Sequence, residues 1–144
     1  MLVSQILKSK GSEGVTTVAP GLTVAQAAEV LSQKKIGALV ISKDGKTLGG
    51  IVSERDIVRE IGRRGPACLN DSIDSIMTSK VVTCVRADQT DAVLQKMTDG
   101  RFRHIPVVEG SQLVGLISIG DVVKARLSKL AMEKDALEGM IKGF

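Results

Sequence analysis

The chain has 144 residues, 43% of them hydrophobic and 25% charged, with a formal net charge of +4. That length suffices for one compact domain with a sizeable core, and the hydrophobic fraction argues against disorder. No apolar run approaches the roughly 20 residues that span a bilayer. No basic segment followed by a long apolar stretch marks a secretory signal, so the cytoplasm is the expected compartment and no membrane partner is expected.

Phe102 and Phe144 are the only aromatics. They offer no platform for stacking single-stranded bases. Lys and Arg are dispersed, so an anionic partner is permitted while nucleic acid is not favoured. Cys68 and Cys84 form no C-x-x-C pair and no disulfide framework. Cys84, at the position of Val18 in an earlier repeat, reads as a small buried hydrophobe. Cys68 falls in a loop with no assigned role.

In chain order, residues 15–18 form a short β-branched strand and Pro20-Gly21 a turn. Thr23-Val24-Ala25-Gln26 resembles a capping box that opens a helix running to about Lys35, with Ala27, Val30 and Leu31 as its apolar stripe. Residues 37–41 read as a buried strand. Lys43-Asp44-Gly45-Lys46 carries the Asp-Gly hairpin signal. Residues 48–52 return as a strand, and a helix begins at Ser53.

The same run then repeats. Residues 81–85 form a strand, and a helix from Asp88 or Thr90 reaches Met97, with Gly100 near its end. Strands follow at 105–108 and 113–117 around a turn at Glu109-Gly110-Ser111, and a helix begins at Ser118. The prefixes match too, Ile6-Leu7-Lys8-Ser9-Lys10 against Ile76-Met77-Thr78-Ser79-Lys80. The first copy carries four extra residues, Gly11-Ser12-Glu13-Gly14. The expected division is a first repeat at 1–61, a linker at 62–74, a second repeat at 75–127 and a helical tail at 128–144. A repeat of about 60 residues buries too little surface to be comfortably stable alone, so the two should fold as one unit. The class is α/β, or α+β in stricter usage, built from two β-α-β-β-α units related by a pseudo-twofold axis.

The chemistry concentrates where each unit ends. Gly50-Ile51-Val52-Ser53-Glu54-Arg55-Asp56 returns as Gly115-Leu116-Ile117-Ser118-Ile119-Gly120-Asp121. Ser-x-x-Asp at a strand-to-helix junction is close to a capping box, and both residues could serve only the free amides of the helix start. The same geometry suits a nucleotide. A helix N-terminus welcomes phosphate, the aspartate can accept hydrogen bonds from a ribose diol, and the preceding glycine lets backbone and ligand approach closely. Arg101-Phe102-Arg103-His104-Ile105-Pro106 adds arginine forks suited to phosphate and the only histidine. The matching stretch, Ile36-Gly37-Ala38, carries no charge, so the two sites should be unequal. Arg103 and His104 are assigned to the second copy and Arg55 to the first. No P-loop, nucleophile elbow, activated cysteine or metal-ligand cluster is present, so neither an enzyme nor a metal site is expected.

In the tail, Val123, Leu127, Leu130, Leu137, Ile141 and Phe144 alternate at spacings of four and three, with Lys134 interrupting. A helix packed on its own domain and a helix pairing across a homodimer both fit that pattern.

Together these features resemble a tandem pair of cystathionine-β-synthase (CBS) domains, or Bateman module, of the stand-alone bacterial type. The resemblance covers about residues 2–127 and rests on the two repeats, the closing G-h-h-S-x-x-D motifs (h aliphatic) and Arg103-His104-Ile105-Pro106-Val107. It implies a regulatory module that binds AMP, ADP, ATP, NAD(H) or S-adenosylmethionine between its repeats, without a catalytic cofactor. On that reading Asp56 and Asp121 hold ribose, with Ser53 and Ser118 near phosphate or ribose. The backbone around Val15, Thr16 and Thr17, and around Val81, Val82 and Thr83, meets adenine. Ile36, Gly37 and Ala38 line one pocket, and Arg103, His104, Ile105 and Pro106 the other. Family members also pair into homodimers and act on a regulated protein. A ligand-free interaction module, recruiting partners through its tail, is the alternative.

Overall fold

The structure is a computed structural model and describes residues 1–11 and 15–142. Along the chain run α1 (Val3–Ser9), β1 (Thr17–Val18), α2 (Val24–Lys34), β2 (Ala38–Ile41), β3 (Gly50–Ser53) and α3 (Glu54–Arg64). Two 3-10 turns follow, Pro66–Asn70 and Ile73–Ser75. Then come α4 (Thr90–Gly100), β4 (His104–Glu109), β5 (Gln112–Ser118) and α5 (Ile119–Ile141). Residues 12–14 of the four-residue insertion, and Phe144 of the tail pattern, lie outside the described residues.

Local chemistry accounts for most of these boundaries. Thr23 accepts from the Gln26 amide and Gln26 answers on the Thr23 amide, which starts α2 as its sequence predicts. All four residues of β2 are buried, as a continuous apolar run requires. The connection from β2 to β3 spans eight residues rather than a tight hairpin. Asp44 organises it by accepting from the amides of Lys46 (2.8 Å) and Thr47 (2.7 Å) and from the Thr47 hydroxyl (2.9 Å). Gly45 takes the positive φ of 78° that this bend needs.

One sheet has the order β1-β2-β3, with β1 parallel and β3 antiparallel to β2. The other pairs β4 with β5 antiparallel. The strand expected at 81–85 does not form. Only Cys84 bridges β4, donating to Pro106 O (3.0 Å) and accepting from Val108 N (2.9 Å). The Val85 amide turns instead to the Asp88 carboxylate (2.9 Å), which swings the chain towards α4. Cys84 is buried and its thiol pushed up to about 11, by burial first and by Asp88 second, so it packs as the expected hydrophobe.

The segment expected to be a linker, 62–74, carries the end of α3 and two 3-10 turns. α3 continues to Arg64, which pairs with Glu60 (2.7 Å) and Asp71 (2.8 Å). Gly65, at φ 81°, then ends the helix and Pro66 opens the first 3-10 turn. Cys68 and Ile73 are buried, so Cys68 is core rather than loop.

Two hydrophobic clusters form the core, and they do not divide where the repeats divide. Val24, Leu31, Leu39, Ile41, Val52 and Ile57 of the first repeat pack with Ile73, Ile76 and Met77. Cys84, Val93, Met97, Ile105, Val107 and Ile117 of the second pack with Val3, Ile6 and Leu7. Each repeat therefore lends its prefix to the other. The paired contacts match: a Cβ on Gly50 would lie 2.5 Å from Met77 Sδ, and a Cβ on Gly115 would lie 2.5 Å from Leu7 Cδ2.

Candidate functional site

α3 and α5 start identically. The Ser53 amide donates to Asp56 Oδ2 (2.8 Å) and the Asp56 amide to Ser53 Oγ (3.3 Å). The Ser118 amide donates to Asp121 Oδ2 (2.9 Å) and the Asp121 amide to Ser118 Oγ (3.1 Å). The capping role of both motifs is therefore realised. It occupies one oxygen of each carboxylate. Asp56 Oδ1 accepts from Arg59 (3.2 Å), whereas Asp121 Oδ1 has no hydrogen-bond partner among the described residues.

Beside each cap lies a cleft made from both repeats. The first, of about 720 Å³, lies between β5 and the approach to β1, and its walls include Lys10, Thr16, Ile36, Leu116 and Ser118. The second, of about 410 Å³, lies over the start of α3, between Ser53, Arg55 and Asp56 on one side and Val81, Val82, Arg101 and Arg103 on the other. Both volumes fall in the range of small-molecule sites. Gly37, Ala38 and His104 are common to the two clefts and form the wall between them.

That wall is held by the strand-to-helix junctions. The Glu54 amide donates to Gly37 O (2.9 Å), and the Ile119 amide to Arg103 O (2.8 Å). His104 pairs with Ser118 across β4 and β5, as Ala38 pairs with Ser53. A Cβ on Gly37 would come within 3.1 Å of His104 Cε1, so glycine lets the imidazole into the wall. Burial there pushes the His104 pKa down, outweighing the pull of Asp121 and Glu54, so the ring is neutral at pH 7.

In the first cleft Lys10 crosses from the end of α1 to donate to Asp121 Oδ2 (2.7 Å) and Leu116 O (2.8 Å). Burial alone would raise the Asp121 pKa. The Lys10 ammonium and the Ser118 amide prevail and hold the carboxylate below its usual value.

Most expected site residues meet at these clefts, but not all. Thr16, Ile36, Gly37, Ala38 and Ser118 line the first, and Asp121 sits behind Ser118 and Lys10. Ser53, Arg55, Asp56, Val81, Val82 and Arg103 line the second. Thr17 lies outside both, paired with Val40 in β1. The Thr83 carbonyl is turned to Lys96 (3.2 Å). Ile105 and Pro106 are buried in β4, behind the wall rather than on it.

One assignment is corrected. Arg55 and Arg103 do not serve different sites but face one cleft with Asp56, because each cleft draws on both repeats. The motif glycines Gly50 and Gly115 make room for Met77 and Leu7 of the exchanged prefixes, and Gly115 also lines the first cleft. Sequence reasoning passed over Lys10, Arg59 and Lys80, all placed at the clefts. The signal for two of them was present. Lys10 and Lys80 close the matching prefixes, and each ends beside a cleft.

The family model of the CBS domain matches residues 3–63 and 73–128. A CBS-domain containing protein from Agrobacterium tumefaciens is 44% identical, with a TM-score of 0.83 over 88% of this chain and 99% of that one. A CBS domain pair solved with 5-methylthioadenosine and S-adenosyl-L-methionine is 26% identical, TM-score 0.78, over 90% and 98% of the two chains. A CBS domain protein from Pyrobaculum aerophilum complexed with AMP is 27% identical, TM-score 0.75, over 92% and 99%. With both domain matches falling on the two repeats that build the clefts, the chain belongs to the CBS-domain family as a tandem pair.

Proposed function

We propose that this protein is a non-catalytic sensor that binds an adenine-containing ligand between its repeats and changes conformation or association in response. AMP, ADP, ATP, NAD(H) and S-adenosylmethionine are the ligands considered. One observation carries the reading: each cleft joins the capping Ser-x-x-Asp of one repeat to the first-strand segment of the other. A ligand seated there touches both halves, and its differential affinity for their relative orientations is the only lever by which it can shift them. The two neighbours solved with AMP and with S-adenosyl-L-methionine support the adenosine class.

In this reading Asp56 and Asp121 accept from ribose hydroxyls, Asp121 through its unpartnered Oδ1 and Asp56 in place of Arg59. The backbone of Thr16, and of Val81 and Val82, faces the base. Arg55 and Arg103 face phosphate in the second cleft. A thermal-shift screen of AMP, ATP, NADH and S-adenosylmethionine tests the class, because a ligand at 100 times its Kd stabilises the fold by about 2.7 kcal/mol. Calorimetry on Asp56→Ala and Asp121→Ala then tests the sites. Each variant should weaken binding about tenfold, the worth of one charge-assisted hydrogen bond. Unchanged affinity in the double variant would overturn the ribose assignment.

Self-association is the second part of the proposal. Val58, at 68% exposure, and Leu127, at 62%, lie on α3 and α5 with no cover from their own domain. A second copy of the chain laid against α5 would bury this seam, and a regulated protein would then read the state of the pair.

A further inference from the structure

The second cleft holds more positive charge than its carboxylates neutralise. Arg55, Arg59, Lys80, Arg101 and Arg103 line it, against Glu54 and Asp56. Arg59 is committed to Asp56 (3.2 Å), while the other four cations form no ion pair among the described residues. The first cleft differs. There Lys10 is neutralised by Asp121 (2.7 Å) and Arg86 by Glu109 (2.7 Å), which leaves Lys8.

The backbone holds these cations in place against their mutual repulsion. Arg101 ends α4 in the left-handed conformation, at φ 58°. Phe102, half-buried, packs against the cluster that holds Met97 and also lines the cleft, as do the arginines that flank it. Arg55 stands in the first turn of α3, whose free amides add further positive potential. Lys80 arrives on the exchanged prefix. Four cations from three separate segments thus converge on about 410 Å³. One phosphate cannot satisfy them all; a chain of two or three can.

We infer that the second cleft selects its ligand by phosphate number, preferring adenosine di- and triphosphates to the monophosphate and to sulfonium ligands, with Lys80, Arg101 and Arg103 as the specificity-determining residues. The inference rests on the adenine reading above but is separable from it. Calorimetry with AMP, ADP, ATP and inorganic tripolyphosphate, in the presence of a chelator and at low and high salt, tests it.

The expected result is at least about tenfold tighter binding of ATP than of AMP, as one added charge-assisted contact would give. The gap should narrow at high salt, because these exposed cations are screened. In the Lys80→Gln/Arg103→Gln double variant ATP affinity should fall more than AMP affinity. Lys43→Gln/Lys46→Gln, the same charge lost at a distant turn, should leave both unchanged. Equal affinities for AMP and ATP in the unsubstituted protein would overturn the inference and leave the adenine reading standing. Tripolyphosphate binding without any nucleotide binding would overturn the adenine reading and uphold the phosphate preference. Binding of neither would overturn both. Because the salt and phosphate series need no variant, the test survives a double variant that fails to fold.

Discussion

Asp121 shows how much one side chain can carry. Its carboxylate caps α5, pairs directly with Lys10 beside the first cleft and acts on the neutral His104 through its charge. Its folded pKa is lowered, so its stabilising effect is present above the unfolded value near 4 and is lost as the pH falls through the lower folded value. Asp121→Asn keeps a capping acceptor but removes the charge. We expect it to cost about 1 kcal/mol at pH 7, a fall in Tm of about 3 °C. The deficit should shrink in melts as the pH falls through the lowered folded value, where the native carboxylate also takes up its proton. A deficit independent of pH would show that the Lys10 pairing contributes nothing. Ser118 and Asp121 were legible in the sequence because a capping box is local, closing over three residues. Lys10 was not, because its partner lies 111 residues away.

Among the elements, α5 departs furthest from a helix packed on its own domain. Val122 is its only buried residue, and the Arg126–Asp91 pair (2.8 Å) is its last ion pair with the domain. From Arg126 on, every described side chain is exposed. A segment of that length is marginal alone in water, and its apolar seam gives it a reason to pair. We expect Leu127→Glu/Leu130→Glu to convert a dimer to a monomer in light scattering while leaving the far-ultraviolet circular dichroism of the domain intact. A monomeric parent protein would remove the seam from the proposal. Element type was readable in α2, α3, α4 and α5, whereas α1 lies in a prefix that was given no element type. It failed at 81–85, where a β-branched run competes with a single carboxylate, Asp88, for the amide that strand pairing needs.

For the whole molecule, the exchange of prefixes decides both stability and site. It knits two repeats of marginal size into one unit. It also delivers a lysine to each cleft from a distant part of the chain. Ile6 is 2% exposed and packs in the cluster of the second repeat, although it belongs to the prefix of the first. Ile6→Ala should therefore cost about 2–4 kcal/mol. Hydrogen exchange should quicken in β4 and β5 more than in β2 and β3. Faster exchange confined to β2 and β3 would refute the exchanged arrangement.

By itself the sequence determined the duplication, the class of the fold and the capped helix starts. All of these rest on short-range chemistry: capping spacing and apolar periodicity. Only the tertiary structure decided which residues share a cleft. The pseudo-twofold packing sets each repeat's cap against the other repeat's first-strand segment, and the prefixes cross over with it. Arg55 and Arg103, 48 positions apart in the chain, are thereby brought to one cleft. Spacing along a chain cannot report which surfaces meet when two copies of a unit bury their faces together.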